Sequence, residues 1–260
     1  MAPGGSGGVR GELSTTCLCL RHLTNLPVRP AAPCKVSAER GSDRVKKFWE
    51  EVHEVAFAAQ QRLGRLQVPE LPHFDDPQTT KWFLDQLAGA KRYLEYGTGG
   101  STYQAARVGV DFIAVDTDPY FLDAVRAKIQ GAGLGRPGQV FRHADIGRTG
   151  TWGRPRGRVN DARRRSFRHA SDPPPECGEG RLPDFVLIDG RFRVACAFKV
   201  FNMLRARTGW TVVVDDYTDR PQYREIEDYA EVELVGRMAV IQSVREVPGS
   251  VVTRWETDFN

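Results

Sequence analysis

Between Arg92 and Ala124 the chain runs through a short apolar segment, a glycine-rich turn, a helix, a second apolar segment and an acid, and this order leaves few folds open. Tyr93 to Tyr96 read as a strand, Gly97, Thr98, Gly99, Gly100, Ser101 and Thr102 as a turn and helix start, and Tyr103 to Val108 as the continuing helix. The next strand, Phe112 to Val115, ends on Asp116, nineteen positions after Gly97. In a strand–helix–strand unit that spacing sets a carboxylate where it can accept hydrogen bonds from a ribose. A nucleoside is expected here.

The glycines restrict which nucleoside. Dinucleotide sites place a third glycine three residues after the second, so that helix and strand pack tightly beside a pyrophosphate, but this chain has Thr102 there. The turn suits a ligand without pyrophosphate. With Glu95, Tyr96, Gly97, Thr98 and Gly99 in line, the segment resembles the first motif of the class I S-adenosylmethionine-dependent methyltransferases, although Ser101 stands where a last glycine often falls. The resemblance extends over roughly Thr79 to Val244. It implies an α/β fold, a doubly wound Rossmann-like sheet that is mostly parallel with an antiparallel C-terminal strand. It also implies S-adenosylmethionine as cofactor, with Glu95, Gly97 and the amides of Thr98, Gly99, Gly100 and Ser101 around the methionine part and Asp116 on the ribose. Asp145, at the end of a third strand Gln139 to Ala144, matches the acid that receives the adenine amino group.

The remaining elements agree with such a sheet. Phe185 to Ile188 is a fourth strand ending at Asp189 and Gly190, followed by a helix whose buried stripe is Val194, Ala197, Phe198, Phe201 and Leu204. Trp210 to Val214 is uniformly apolar, as a parallel strand buried on both faces should be, and ends at Asp215, Asp216 and Tyr217. Tyr223 to Ala230 reads as a helix, and Val232 to Val235 with Ala239 to Val244 as a closing hairpin. With 260 residues, 40% of them hydrophobic, one catalytic domain over 42–260 is expected, preceded by a disordered or targeting leader over 1–41. An amphipathic helix from Asp43 to Leu66 would extend the domain at its mouth or edge. The arginine- and proline-rich stretch 148–183 has few apolar residues and reads as a solvated, partly disordered insertion above the site.

Net charge of +4 does not by itself indicate nucleic-acid binding. No apolar run reaches the ~18 residues of a membrane helix. The five cysteines form neither a metal-binding set nor an even disulfide framework, which favours a reducing compartment: the cytoplasm, or an organelle if the basic leader is a targeting signal.

Neighbouring strand ends in a doubly wound sheet open onto one crevice, so Asp189, Asp215 and Asp216 are expected to converge. Three hard oxygen donors suit Mg²⁺, which stabilises a deprotonated hydroxyl. The arrangement resembles the catechol and macrocin groups of O-methyltransferases, which implies methyl transfer to a hydroxyl of a small molecule, with Asp189 and Asp215 catalytic and a metal shared by Asp189, Asp215 and Asp216. Arg191, Phe192 and Arg193 depart from the usual His- or Lys- and Tyr-containing region after the fourth strand and leave the acceptor and the base open. Two alternatives stand beside this reading: an aminopropyltransferase-like enzyme, and a catalytically inactive adaptor that binds RNA or protein through the arginine-rich insertion.

Overall fold

Two strands at the middle of the sheet, β4 (Phe185–Ile188) and β5 (Thr211–Val214), bury every residue, and their neighbours explain why. The computed structural model describes residues 66–259 apart from Glu179, together with scattered positions between Val55 and Gly64. Around the central pair lie β1 (Arg92–Tyr96), β2 (Asp111–Asp116), β3 (Gln139–His143), β6 (Ala230–Val235) and β7 (Met238–Val244), in the order β3-β2-β1-β4-β5-β7-β6. The first five strands run parallel, while β7 is antiparallel to both β5 and β6. Strands β1, β2, β4 and β5 therefore need apolar residues on both faces.

Alternate residues serve the two layers. Leu94, Ile113, Val186 and Val212 pack with Ala197, Phe198 and Phe201 of a helix over Arg193–Leu204, whereas Tyr93, Phe112, Leu187 and Val213 pack with Phe83, Leu87, Val125 and Ile129 on the other side. In chain order the helices are α1 (Pro77–Gly89), α2 (Gly100–Val108), α3 (Pro119–Gly131), α4 (Asp161–Ala170), α5 (Arg193–Leu204) and α6 (Gly249–Trp255). Two begin on acid caps followed by proline: Asp76 accepts from the Thr79 amide at 2.8 Å, and Asp118 from the Tyr120 amide at 3.0 Å.

Three expectations change. The stretch Tyr223 to Ala230 is not an α-helix: up to Asp228 it belongs to a 3-10 segment, Pro221–Asp228, held by the buried side chains of Tyr223 and Ile226, and Ala230 already starts β6. Between 148 and 183 most of the arginines are exposed, as a solvated insertion requires, but part of the stretch is docked. Helix α4 drives Phe167 and Ala170 into the core beside Phe192, and Cys177 joins the same cluster. Few apolar residues suffice because α4 lies on an apolar face that α5 already provides. The leader over 1–41 lies outside the described residues, as does most of the helix expected from Asp43 to Leu66. Of that helix, residues 59–61 are described as helical, and Gln61 donates to Asp118 at 2.6 Å. Among the described residues no helix is long and apolar enough to cross a membrane.

Candidate functional site

The C-terminal ends of β1, β2, β4 and β5 carry the residues singled out from sequence, and backbone strain collects beside them. Among the described residues three non-glycine residues have left-handed backbone: Phe192 after β4 (φ 59°), Asp216 after β5 (φ 56°), and Trp152 (φ 58°) in a turn, Thr151–Gly153, that folds over β2. Such conformations persist only where the surroundings impose them. Phe192 is fully buried against Phe167, with ring centroids 5.4 Å apart.

The glycine-rich turn does two separate jobs. Gly97, at φ 96°, passes so near the β4 loop that a Cβ on it would lie 2.6 Å from the Gly190 nitrogen. That glycine is needed for protein-to-protein approach. Gly99 is different, because a Cβ there would meet nothing within 4 Å. It borders open space at the start of α2, where the first-turn amides and helix dipole favour a carboxylate. Gly100 packs under the Leu71–Pro72 backbone, which a Cβ would strike at 2.1 Å.

Glu95 is fully buried beneath this turn, with Oε1 accepting from the Ser101 hydroxyl and Oε2 from the Thr102 hydroxyl at 2.8 Å. Burial pushes its pKa up to about 8 despite those two hydrogen bonds. Its oxygens thus hold the turn from below. Asp116 accepts from the Thr98 amide at 2.7 Å and hydroxyl at 2.6 Å through Oδ2, and from the Asp118 amide at 2.8 Å through Oδ1. A carboxylate offers about four acceptor sites, so Oδ1 keeps one for a ribose hydroxyl. Burial raises the Asp116 pKa, with the Thr98 and Asp118 hydrogen bonds opposing it. Asp145 is exposed, and its Oδ1 accepts from the Gly147 amide at 2.8 Å, leaving the other oxygen to the open side.

Asp189, Asp215 and Asp216 do converge, each contributing an oxygen to a group spanning no more than 4.8 Å. Every one of them is already paired. Arg193 reaches Asp189 Oδ1 with Nη2 at 2.8 Å and Asp216 Oδ2 with Nη1 at 2.5 Å. Arg237 grips Asp215 through both oxygens, Nε to Oδ1 at 2.8 Å and Nη2 to Oδ2 at 2.6 Å, and Arg220 lies 3.0 Å from Asp216. Three guanidiniums offset three carboxylates, and Arg193 is almost wholly enclosed, its side chain only 4% exposed. A divalent cation among these oxygens would have to displace bidentate arginine contacts and face the same positive charges at close range. The residues do not fit Mg²⁺. Burial raises the Asp189 pKa well above the carboxylate range, Arg193 opposing and Asp215 and Asp216 assisting. For Asp216 burial is outweighed by Arg193, Arg237 and Arg220, which hold it low.

Sequence reasoning missed these partners. Arg191 and Arg193 stood out as a departure from the family pattern, yet nothing in a hairpin turn marked Arg237 as a partner for Asp215, whose sequence position is 22 residues away.

A seven-stranded sheet in this order, with an acid near the end of β1, a glycine-rich turn after it and an acid at the end of β2, defines the methyltransferase class of the α/β folds. No family model and no curated protein matches the sequence. Among solved structures the chain is similar to a methyltransferase-like protein of Silicibacter pomeroyi, at 30% identity and a TM-score of 0.62 over 73% of this chain and 100% of that one. It is also similar, more distantly, to an SAH-bound methyltransferase of Podospora anserina (13% identity, TM-score 0.41, 84% and 100% covered). A third neighbour is a methyltransferase of Geobacter sulfurreducens (11%, 0.42, 78% and 98%). The chain belongs to the class I S-adenosylmethionine-dependent methyltransferase family.

Proposed function

We propose that the protein methylates a hydroxyl group of a small molecule, with Asp189 as the base and without a divalent cation. Bound S-adenosylmethionine supplies a methyl group on a sulfonium, whose departure as a neutral thioether needs no protein acid. The chain's own residues then have to hold the donor, align the acceptor and take its proton. The start of α2 at Gly99 receives the methionine carboxylate, Asp116 Oδ1 a ribose hydroxyl, and the free oxygen of Asp145 the adenine amino group. Glu95 supports the turn through Ser101 and Thr102.

The observation that carries this reading is the position of Asp189. Its amide donates to the Tyr96 carbonyl at 2.8 Å and its main-chain carbon would lie 2.8 Å from a Cβ on Gly97, so the residue stands beside the glycine-rich turn where β1 and β4 pair. Its side chain is partly open, one oxygen is held by Arg193, and burial makes it a stronger base than an exposed carboxylate. Asp215 is fully buried and clamped by Arg237, which suits positioning rather than proton transfer. A polyamine acceptor, as aminopropyl transfer requires, would meet Arg191, Arg193 and Arg220 instead of free acids.

Replacing Asp189 with Asn tests the assignment. S-Adenosylhomocysteine affinity should be retained while transfer to any acceptor found by screening falls at least a hundred-fold and loses its acid limb. Unchanged turnover in Asp189→Asn would remove Asp189 as the base.

A further inference from the structure

Of the arginines at the crevice, Arg193, Arg220 and Arg237 are consumed by carboxylates. Arg191 is not. Among the described residues it makes no ion pair; its Nη1 donates to the Phe259 carbonyl at 3.3 Å, and its Nε is shielded from water without a hydrogen-bond partner. We propose that Arg191 is a binding residue for an oxyanion, a carboxylate or a phosphate, carried by the methyl acceptor. The assignment rests on the methyl-transfer reading in that it gives the bound group to the acceptor.

Location supports it. Arg191 lies two residues beyond Asp189, and its stem crosses beside the turn over β2. A Cβ built on Gly153 would lie 3.9 Å from Arg191 Cγ and 4.0 Å from Asp116 Oδ1, so the stem of the side chain and the acid expected to hold the ribose flank the same glycine. Its direction is fixed from behind, because the next residue, Phe192, is buried in a left-handed conformation against Phe167.

The chemistry of the side chain agrees. With Nη1 held by a main-chain carbonyl, the guanidinium keeps its Nε–Nη2 edge, whose two parallel N–H groups match a carboxylate or phosphate in a bidentate contact. A charged donor kept from water with nothing to bind is costly, and an incoming anion relieves that cost. The surroundings are positive: burial, then Arg193, Arg154 and Arg220, push the Arg191 pKa down to about 10. An oxyanion would bind against this field and lower it, whereas a neutral acceptor would leave it in place.

The test titrates inorganic phosphate and, separately, malonate into the protein by calorimetry, with and without S-adenosylhomocysteine. It uses wild type, Arg191→Ala, Arg191→Gln and, as a control on the exposed face of α4, Arg165→Ala. Arg191→Ala should weaken binding of the preferred anion at least ten-fold, Arg191→Gln by less, and Arg165→Ala should leave it unchanged. S-Adenosylhomocysteine affinity should stay within about two-fold throughout. Whichever anion binds more tightly identifies the acceptor's group as phosphate or carboxylate. Equal affinity in wild type and both Arg191 variants, or binding of neither anion to wild type, would overturn the assignment. Failure of wild type to bind S-adenosylhomocysteine would instead contradict the donor reading, and the anion titrations without it would still decide the role of Arg191.

Discussion

Gly97 and Gly190 meet backbone to backbone where the loops after β1 and β4 cross, so closely that a Cβ on Gly97 would stand 2.6 Å from the Gly190 nitrogen and 2.7 Å from its Cα. The contact locks the glycine-rich turn against the loop that carries Asp189. Gly97→Ala should cost roughly 2–5 kcal/mol, combining a left-handed backbone for a residue with a side chain and an overpacked contact. Gly99→Ala should unfold like wild type, because its backbone is extended and its Cβ meets no protein atom, yet bind donor more weakly. Urea unfolding and calorimetry on the two variants separate these roles. Equal stability of Gly97→Ala and wild type would show that the loops can part without cost.

The carboxylates at the ends of β4 and β5 should bind no divalent cation. Titration of millimolar Mg²⁺ or Mn²⁺ into wild type should give no saturable heat, and EDTA should not change donor binding or turnover. Removing Arg193 strips partners from both Asp189 and Asp216, at about 3–5 kcal/mol for an enclosed ion pair. It should also allow Mn²⁺ to bind in Arg193→Ala. Stoichiometric metal binding by wild type would contradict the arginine account.

Phe167 anchors the arginine-rich segment. It is fully buried against Phe192 and edge-on to Phe259, at 5.4 Å and 6.2 Å between ring centroids. Phe167→Ala should destabilise the protein by about 3–5 kcal/mol. Replacing 149–179 by a Gly/Ser linker should be at least as damaging, since it uncovers the same face of α5. A melting temperature unchanged by either alteration would mean that the segment is only an appendage.

Glu95 gives stability a pH dependence of definite sign. An unfolded glutamate loses its proton near pH 4.5 and the buried one near pH 8, so the native state holds more protons across that window and stability falls as pH rises through it. Glu95→Gln mimics the protonated form. Between pH 5 and pH 8 its urea midpoint should fall less than that of wild type; identical slopes would mean that Glu95 is ionised in the native protein.

The strands and the glycine-rich turn were legible because they depend on local patterns: apolar runs of strand length, glycines in a turn, acids at strand ends. Phe185 to Ile188 was read to the residue. The convergence of Asp189, Asp215 and Asp216 was also legible, since parallel strands in a twisted sheet bring their ends together. What surrounds those acids was not. Arg237 comes from the β6–β7 turn and Arg193 from the first position of α5, and only the folded chain shows that their guanidiniums face the carboxylates. In the segment 148–183 the composition pointed to the exposed arginines but not to Phe167, which borrows a core built elsewhere.

The central claim is that the crevice at Gly99 and Asp116 holds S-adenosylmethionine, and calorimetry with the donor and with S-adenosylhomocysteine tests it most directly. Wild type should bind each at one site. Asp116→Ala, losing a carboxylate acceptor that also anchors the Thr98 amide and hydroxyl, should bind both about ten- to a hundred-fold more weakly, the equivalent of roughly 1.5–3 kcal/mol. No heat with either ligand, or wild-type affinity in a folded Asp116→Ala protein, would contradict it.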